Sequence, residues 1–92
     1  MEITNFGFNQ LKDPTGIIEG ERYEFLLDVE VEEDDELFTE GGLELRVILA
    51  VEGDGARIAH YNFADKMSRE VLEFGLEEDE EAEVLAFCKD KL

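Results

Sequence analysis

The sequence predicts an α+β fold, in which a five-stranded antiparallel meander sheet has one C-terminal helix packed on one face. Two observations indicate this class. Apolar and polar residues alternate along several segments, as in strands that are buried on one side only. The last segment instead has the wide apolar stripe of an amphipathic helix. With 92 residues, the chain is expected to form a single domain, residues 1–92.

The alternating pattern predicts five strands, at about residues 2–11, 22–31, 43–52, 57–64 and 71–76. It is clearest from Tyr23 to Val31 and again from Leu43 to Val51. When the apolar faces of these two segments are aligned, Asp28 lies opposite Arg46 as a cross-strand pair of opposite charge. Turn residues, among them Pro14 and Gly16, follow the first strand.

The turn Gly53-Asp54-Gly55 predicts a hairpin between the third and fourth strands. A two-residue loop would direct Tyr61 and Phe63 to the wrong side of the sheet, because a slip of one residue moves every side chain to the other face. A three-residue loop pairs Val47 with Tyr61 and keeps the apolar faces together. We therefore expect a three-residue loop with a bulge and with Gly55 in the left-handed conformation, where Gly55→Val would be costly.

The C-terminal segment predicts a helix over about residues 78–91. Acidic residues fill its first turns, and Lys89 and Lys91 lie near its end, so both ends complement the helix dipole. Its apolar stripe can pack on the sheet and consists of Val84, Leu85, Phe87, Cys88 and Leu92.

The charge of the chain restricts its partners. There are 26 acidic residues against eight Lys and Arg, for a net charge of −18. Such a surface repels phosphate and anionic lipid, so we expect no direct nucleic-acid binding and no membrane binding. No segment has the charged-then-apolar pattern of a secretory leader or a long apolar run, so we expect neither secretion nor a membrane span, and one cysteine cannot form an internal disulfide. These features favour a cytoplasmic protein.

No pattern of catalytic residues stands out. His60 is the only histidine, and Cys88 lies on the inward stripe of the predicted helix. A histidine-based metal site would lack a second histidine, and the glycine-containing turns lack the spacing of phosphate-binding loops. We therefore expect a protein that is not an enzyme and has no cofactor and no specific metal.

Two acidic groups could form a contact surface. They are the run in the second connection and the start of the helix, and they comprise Glu32, Glu33, Asp34, Asp35, Glu36, Glu78, Asp79, Glu80 and Glu81. The run lacks the alternating ligand frame of a calcium loop. Its main expected role is solubility at a loop tip. The alternative is an acidic decoy that mimics nucleic acid and binds a basic partner protein.

The face of the sheet away from the helix offers a second contact surface. The pattern places on it Leu26, Ile48, Ala50, Ile58, His60 and Val71, with charged neighbours around them. An apolar centre with a polar rim is typical of protein interfaces. The preferred function is therefore that of a protein–protein interaction or self-associating module, with a protein partner or a second copy of the chain in a two-fold homodimer.

The chain also resembles a family of short acidic bacterial proteins known only as a domain of unknown function. The resemblance lies in the start MEIT, in the segment LKDPTGIIEGERYEFLLDVEVEEDDELF and in the ending LEEDEEAEVLAFCK. It extends over nearly the whole chain. It implies a stand-alone cytoplasmic protein of bacteria, and it supplies no activity, ligand or catalytic residue.

Overall fold

A computed structural model describes residues 1–12, 20–53 and 55–92. It confirms the predicted α+β class, with an antiparallel sheet in the order β1-β2-β3-β4-β5 followed by a C-terminal helix. The elements are β1 (Glu2–Leu11), β2 (Glu21–Glu30), β3 (Leu43–Glu52), β4 (Gly55–Asp65), β5 (Val71–Leu72) and α1 (Glu78–Lys91). The turn predicted at Pro14 and Gly16, like Asp54 of the predicted hairpin loop, lies outside the described residues.

The core lies between α1 and one face of the sheet, which we call the covered face. Alternate residues of β2 and β3 are buried there, while their neighbours in sequence remain accessible. The helix contributes Val84 and Cys88, both fully buried. The buried cluster contains Phe25, Leu27, Val29, Leu43, Leu45, Val47, Leu49, Phe63, Val84 and Cys88. Full burial of a Leu or Phe side chain stabilises a fold by about 1.5–3 kcal/mol, so this cluster supplies most of the driving force.

The register between β2 and β3 differs by two residues from the predicted one. Asp28 lies opposite Glu44, and Arg46 lies opposite Leu26. The predicted pairing of Asp28 with Arg46 is therefore wrong. A shift of two residues keeps every side chain on its own face, so the apolar pattern fits both registers equally well.

The hairpin between β3 and β4 has the predicted pairing at the centre of its strands, but the length of its loop and the position of its bulge differ from the prediction. Val47 does pair with Tyr61, as predicted. However, Glu52 pairs with Gly55, so the loop is two residues long, and the extra residue is Ala59, within β4. Gly53 has the left-handed φ of 57°, whereas Gly55 belongs to the strand. The predicted three-residue loop is wrong because the bulge lies inside the strand.

The fifth strand is shorter than predicted and ends at Leu72. The amide of Phe74 donates to the carbonyl of Leu72 at 3.0 Å, and the amide of Leu76 donates to the Tyr61 hydroxyl at 2.8 Å. These bonds replace a strand ladder. The side chain of Leu76 still packs against the core, but Phe74 is exposed.

The helix starts beside β4 and ends beside β1. At its start, the amide of Glu77 donates to the Glu80 carboxylate at 3.1 Å, which satisfies a group that the helix itself leaves unbonded. At its end, Phe87 contacts Phe6 edge to face at 5.4 Å, and the Lys91 ammonium lies 5.4 Å from the Phe6 ring centre. The one helix in the described part of the chain is too short and too polar to cross a membrane.

We expect Gly20→Ala to lower the free energy of unfolding by roughly 2 kcal/mol or more, because the left-handed region alone costs a non-glycine residue about 1–2 kcal/mol. Gly20 has a φ of 77°, and a Cβ there would lie 2.5 Å from the Val51 carbonyl oxygen. Chemical denaturation measures the difference.

The matched control is Gly55→Ala. A Cβ at Gly55 would have its nearest neighbour, the Glu52 carbonyl oxygen, at 3.7 Å, and its φ is not left-handed. We expect a change within about 1 kcal/mol there. Equal losses of stability at the two positions would contradict the assignment of a left-handed conformation to Gly20 and not to Gly55.

Candidate interaction surfaces

The face of the sheet opposite α1 has no described element packed on it, and we call it the uncovered face. The pairing of β2, β3 and β4 arranges its centre in three rows. They are Leu26–Arg46–Asn62, Glu24–Ile48–His60 and Arg22–Ala50–Arg57. Each strand contributes one side chain to each row, so the surface follows directly from the strand register.

Positive charge is concentrated in these rows. They hold three arginines and one glutamate, in a chain whose net charge is −18. The Nε of Arg46 contacts the Glu24 carboxylate at 2.7 Å across a diagonal of the sheet. Nearby, the Lys66 ammonium lies 3.0 Å from the Asp28 carboxylate. The next row of the uncovered face, Asp28–Glu44–Ala64, holds two carboxylates, so the positive charge is confined to the three central rows.

The structure places five of the six predicted contact residues on the uncovered face. Leu26 is 38% exposed and Val71 is 58% exposed, His60 is also exposed, and Ile48 is partly buried. Ala50 is almost fully buried, so it offers little surface. Leu26 lies in the row next to the one that contains Ile48 and His60.

The sixth residue, Ile58, lies on the opposite face. It pairs with Leu49 and packs against the core. The cause is the bulge at Ala59, which reverses the facing of the residues before it in β4. The same reversal brings Arg57 onto the uncovered face, opposite Ala50. Sequence reasoning missed this arginine because the bulge has no signal in the alternating pattern.

The acidic run borders a groove of about 630 Å³ at one end of the sheet. Of the run, only Glu32 and Glu33 line it. The remaining lining consists of Met1, Glu2, Val29, Glu30, Val31, Phe38, Thr39, Glu40, Gly42 and Leu43. The groove therefore combines carboxylates with apolar side chains. The other predicted acidic group, Glu78 to Glu81, forms the first turn of α1, which follows the edge strand β5 in the chain. None of these four residues lines the groove.

The loop between β2 and β3, which carries the acidic run and which we call the acidic loop, is hydrogen-bonded to the turn between β4 and β5. The Thr39 hydroxyl donates to one oxygen of the Asp65 carboxylate, and the amides of Met67 and Ser68 donate to the other at 2.8 and 2.9 Å. The Thr39 hydroxyl, followed by these amides, lowers the pKa of Asp65. Sequence reasoning missed this residue, although an Asp that precedes a turn commonly accepts such bonds.

The two residues considered for catalysis lie on opposite sides of the sheet. His60 is exposed on the uncovered face, whereas Cys88 is fully buried in the core. Burial raises the pKa of the Cys88 thiol to about 11. A thiol with such a pKa is a poor nucleophile at neutral pH. Across residues 1–12, 20–53 and 55–92, no group of three or more His, Cys, Asp or Glu side chains is arranged to hold a metal ion.

Comparison with known families matches the whole chain, residues 1–92, to the model of a family of unknown function, DUF6509. This confirms the predicted resemblance to such a family. Neither the curated proteins nor the solved structures give a match.

We expect Asp65→Ala to lower the melting temperature, because it removes the acceptor for Thr39, Met67 and Ser68. Asp65→Asn keeps one carbonyl acceptor and should lose less. Since the pKa of Asp65 in the folded protein lies below the ordinary value of an aspartate, its contribution to stability is present above that ordinary value and is lost as the pH falls through the folded pKa. Thermal melts of the three proteins from neutral to acidic pH measure this. Equal melting temperatures at neutral pH would show that the loop does not depend on Asp65.

Proposed function

This chain belongs to DUF6509, a family of unknown function, and we propose that it is a small cytoplasmic protein-interaction module without enzymatic activity. Its partner binds the uncovered face. The single observation that carries the proposal is the placement of three arginines and an exposed leucine on one open sheet face of an otherwise strongly acidic chain.

The chemistry of the uncovered face indicates what the partner presents. Arginine is enriched in protein interfaces, because its planar group binds carboxylates through paired hydrogen bonds while its stem packs on apolar groups. Leu26 and Ile48 are diagonal neighbours in adjacent rows and supply the apolar centre. A partner that fits has carboxylates next to apolar side chains, on a strand or helix that lies across the rows.

The arrangement of reactive groups supports a binding function over catalysis. His60 and Cys88 cannot act together across the sheet, since one is on the uncovered face and the other is in the core. The groove of about 630 Å³ is lined by carboxylates, and none of the described residues around it is a histidine, cysteine or lysine that could act with them. Its most direct use is the attraction of cations.

A second copy of the chain is a poor occupant of the uncovered face. A two-fold dimer would place the arginine-bearing rows of one copy against the same rows of the other. Arg22 and Arg57 would then approach like charges, which costs affinity. We therefore assign this face to a different protein and not to self-association.

The second candidate function is an acidic decoy for a basic partner. The observation that favours it is the groove, in which Glu32 and Glu33 stand beside the exposed ring of Phe38. Such a site would bind lysine or arginine side chains of a nucleic-acid-handling protein. Its contacts are mainly ionic, so they would weaken steeply as salt screens them.

Affinity capture from the native host separates these functions. We expect tagged wild-type protein to recover a specific partner that Leu26→Glu recovers at least tenfold less, because a charge at the centre of the uncovered face repels a carboxylate-bearing surface. The matched control is Leu92→Glu at the end of α1, where the side chain is 49% exposed, compared with 38% at Leu26. It should behave as wild type.

Quantitative mass spectrometry of the captured proteins gives the ratio, and circular dichroism confirms that each variant is folded. Equal recovery by Leu26→Glu and Leu92→Glu would contradict a role for the uncovered face. Loss of the partner in Glu32→Gln/Glu33→Gln alone would instead support the acidic decoy.

A further inference from the structure

The two edges of the sheet are very different. The edge formed by β5 has two residues, whereas the edge formed by β1 has ten. Natural sheets commonly protect an edge by keeping its strand short, or by placing charges, proline or a covering element on it. No described element pairs with the outer side of β1. Within residues 1–12, 20–53 and 55–92, the backbone donors and acceptors on this side of β1 have no strand partner.

The sequence of β1 is unusual for this chain. Residues Ile3 to Leu11 form the longest uncharged run, nine residues, in a protein of which 37% is charged. Lysine and glutamate are absent from the part of the sheet where they usually prevent edge pairing. The low charge is local, since this uncharged run is preceded by Glu2, the first residue of β1, and followed by Lys12.

The centre of β1 reads the same in both directions: Asn5-Phe6-Gly7-Phe8-Asn9. In an antiparallel pair related by a two-fold axis at Gly7, each residue faces its mirror position, so Phe6 meets Phe8 and Asn5 meets Asn9. Both phenylalanines lie on the covered face, and Gly7 lies on the uncovered face opposite Leu26. We propose that two copies of the chain associate through their β1 strands, which joins two sheets into one continuous ten-stranded sheet.

The side chains of Phe6 and Phe8 supply the apolar surface that the pairing of two β1 strands would bury. Phe6 is 38% exposed and Phe8 is 43% exposed, although both stand on the face that carries the core. Phe8 stacks on Phe25 at 4.8 Å, and Phe6 lies edge to face with Phe87. Each ring is therefore held from one side by its own chain and open on the other. Pairing of β1 with a second copy brings Phe6 next to the partner copy's Phe8 and covers both.

The ends of β1 set the extent of the contact. A bulge between Ile3 and Asn5 interrupts the register with β2, so the mirror pairing is regular only from Asn5 to Asn9. Beyond this stretch, the antiparallel arrangement brings the Glu2 end of each strand toward the Lys12 end of the other. The opposite charges at these ends favour the antiparallel direction over the parallel one.

Salt should strengthen this dimer. Each copy has a net charge of −18, so two copies repel each other over the distance that salt leaves unscreened. The contact is uncharged between Ile3 and Leu11, so salt removes much more repulsion between the two copies than attraction between Glu2 and Lys12 at the ends. An ionic contact between the acidic loop and the arginines of the uncovered face would show the opposite dependence.

Light scattering of the full chain after size-exclusion chromatography tests the proposal, at about 0.1 M and about 1 M salt, where the Debye length falls from about 10 Å to about 3 Å. We expect a mass of twice 10.5 kDa to be more populated at the higher salt. Gly7→Glu should increase the dimer dissociation constant at least tenfold, since it places two carboxylates together at the two-fold axis. A Cβ at Gly7 meets nothing within 4 Å, so the monomer accommodates the change.

The matched control is Gly55→Glu, which makes the same change in a strand far from β1 and should leave the dimer intact. Asn9→Glu provides a second variant if Gly7→Glu fails to fold. A monomer at both salt concentrations, or a dimer that Gly7→Glu and Asn9→Glu leave unchanged, would overturn the proposal. The test is independent of the partner proposed for the uncovered face, because it needs the purified chain alone.

Discussion

The structure depends on the burial of one sheet face by one helix. Five strands of alternating pattern present an apolar face on one side only, and α1 covers it with Val84 and Cys88 at the centre. Phe25, Leu45 and Phe63 are fully buried beneath it. A chain of 92 residues has too little apolar material for a second layer on the other side. The uncovered face and the β1 edge must therefore remain compatible with water or be covered by another protein.

Charge is distributed according to the same constraint. The acidic residues concentrate in the loop between β2 and β3 and in the first turn of α1, where water screens them and the helix dipole favours them. Three of the four arginines instead lie on the uncovered face, and β1 has no charged residue between Ile3 and Leu11. Repulsion within a chain of net charge −18 is thereby smaller at the three central rows of the uncovered face and at β1, and these are the surfaces through which we expect contacts with other proteins.

The alternating residues made the fold class, the order of the strands and the buried faces of β2 and β3 predictable from sequence. The register of Asp28 was not predictable, because alternation repeats every two residues and a shift of two leaves each face unchanged. The bulge at Ala59 was not predictable either, since it depends on how Ile48 and Leu49 pair across the hairpin. That one bulge moved Ile58 into the core and Arg57 onto the uncovered face, which changed the predicted site from apolar to arginine-rich.

The most direct test is hydrogen–deuterium exchange at low and high protein concentration, in high salt. It measures whether two copies of the chain associate through the β1 edge, which has no strand paired with its outer side in the described part of the chain. The account predicts that high concentration slows amide exchange in β1, around Phe6 to Phe8, and leaves β4 and β5 unchanged, because only an edge pairing adds backbone hydrogen bonds there. Unchanged exchange in β1 at every concentration, or added protection confined to the β5 edge, would contradict it.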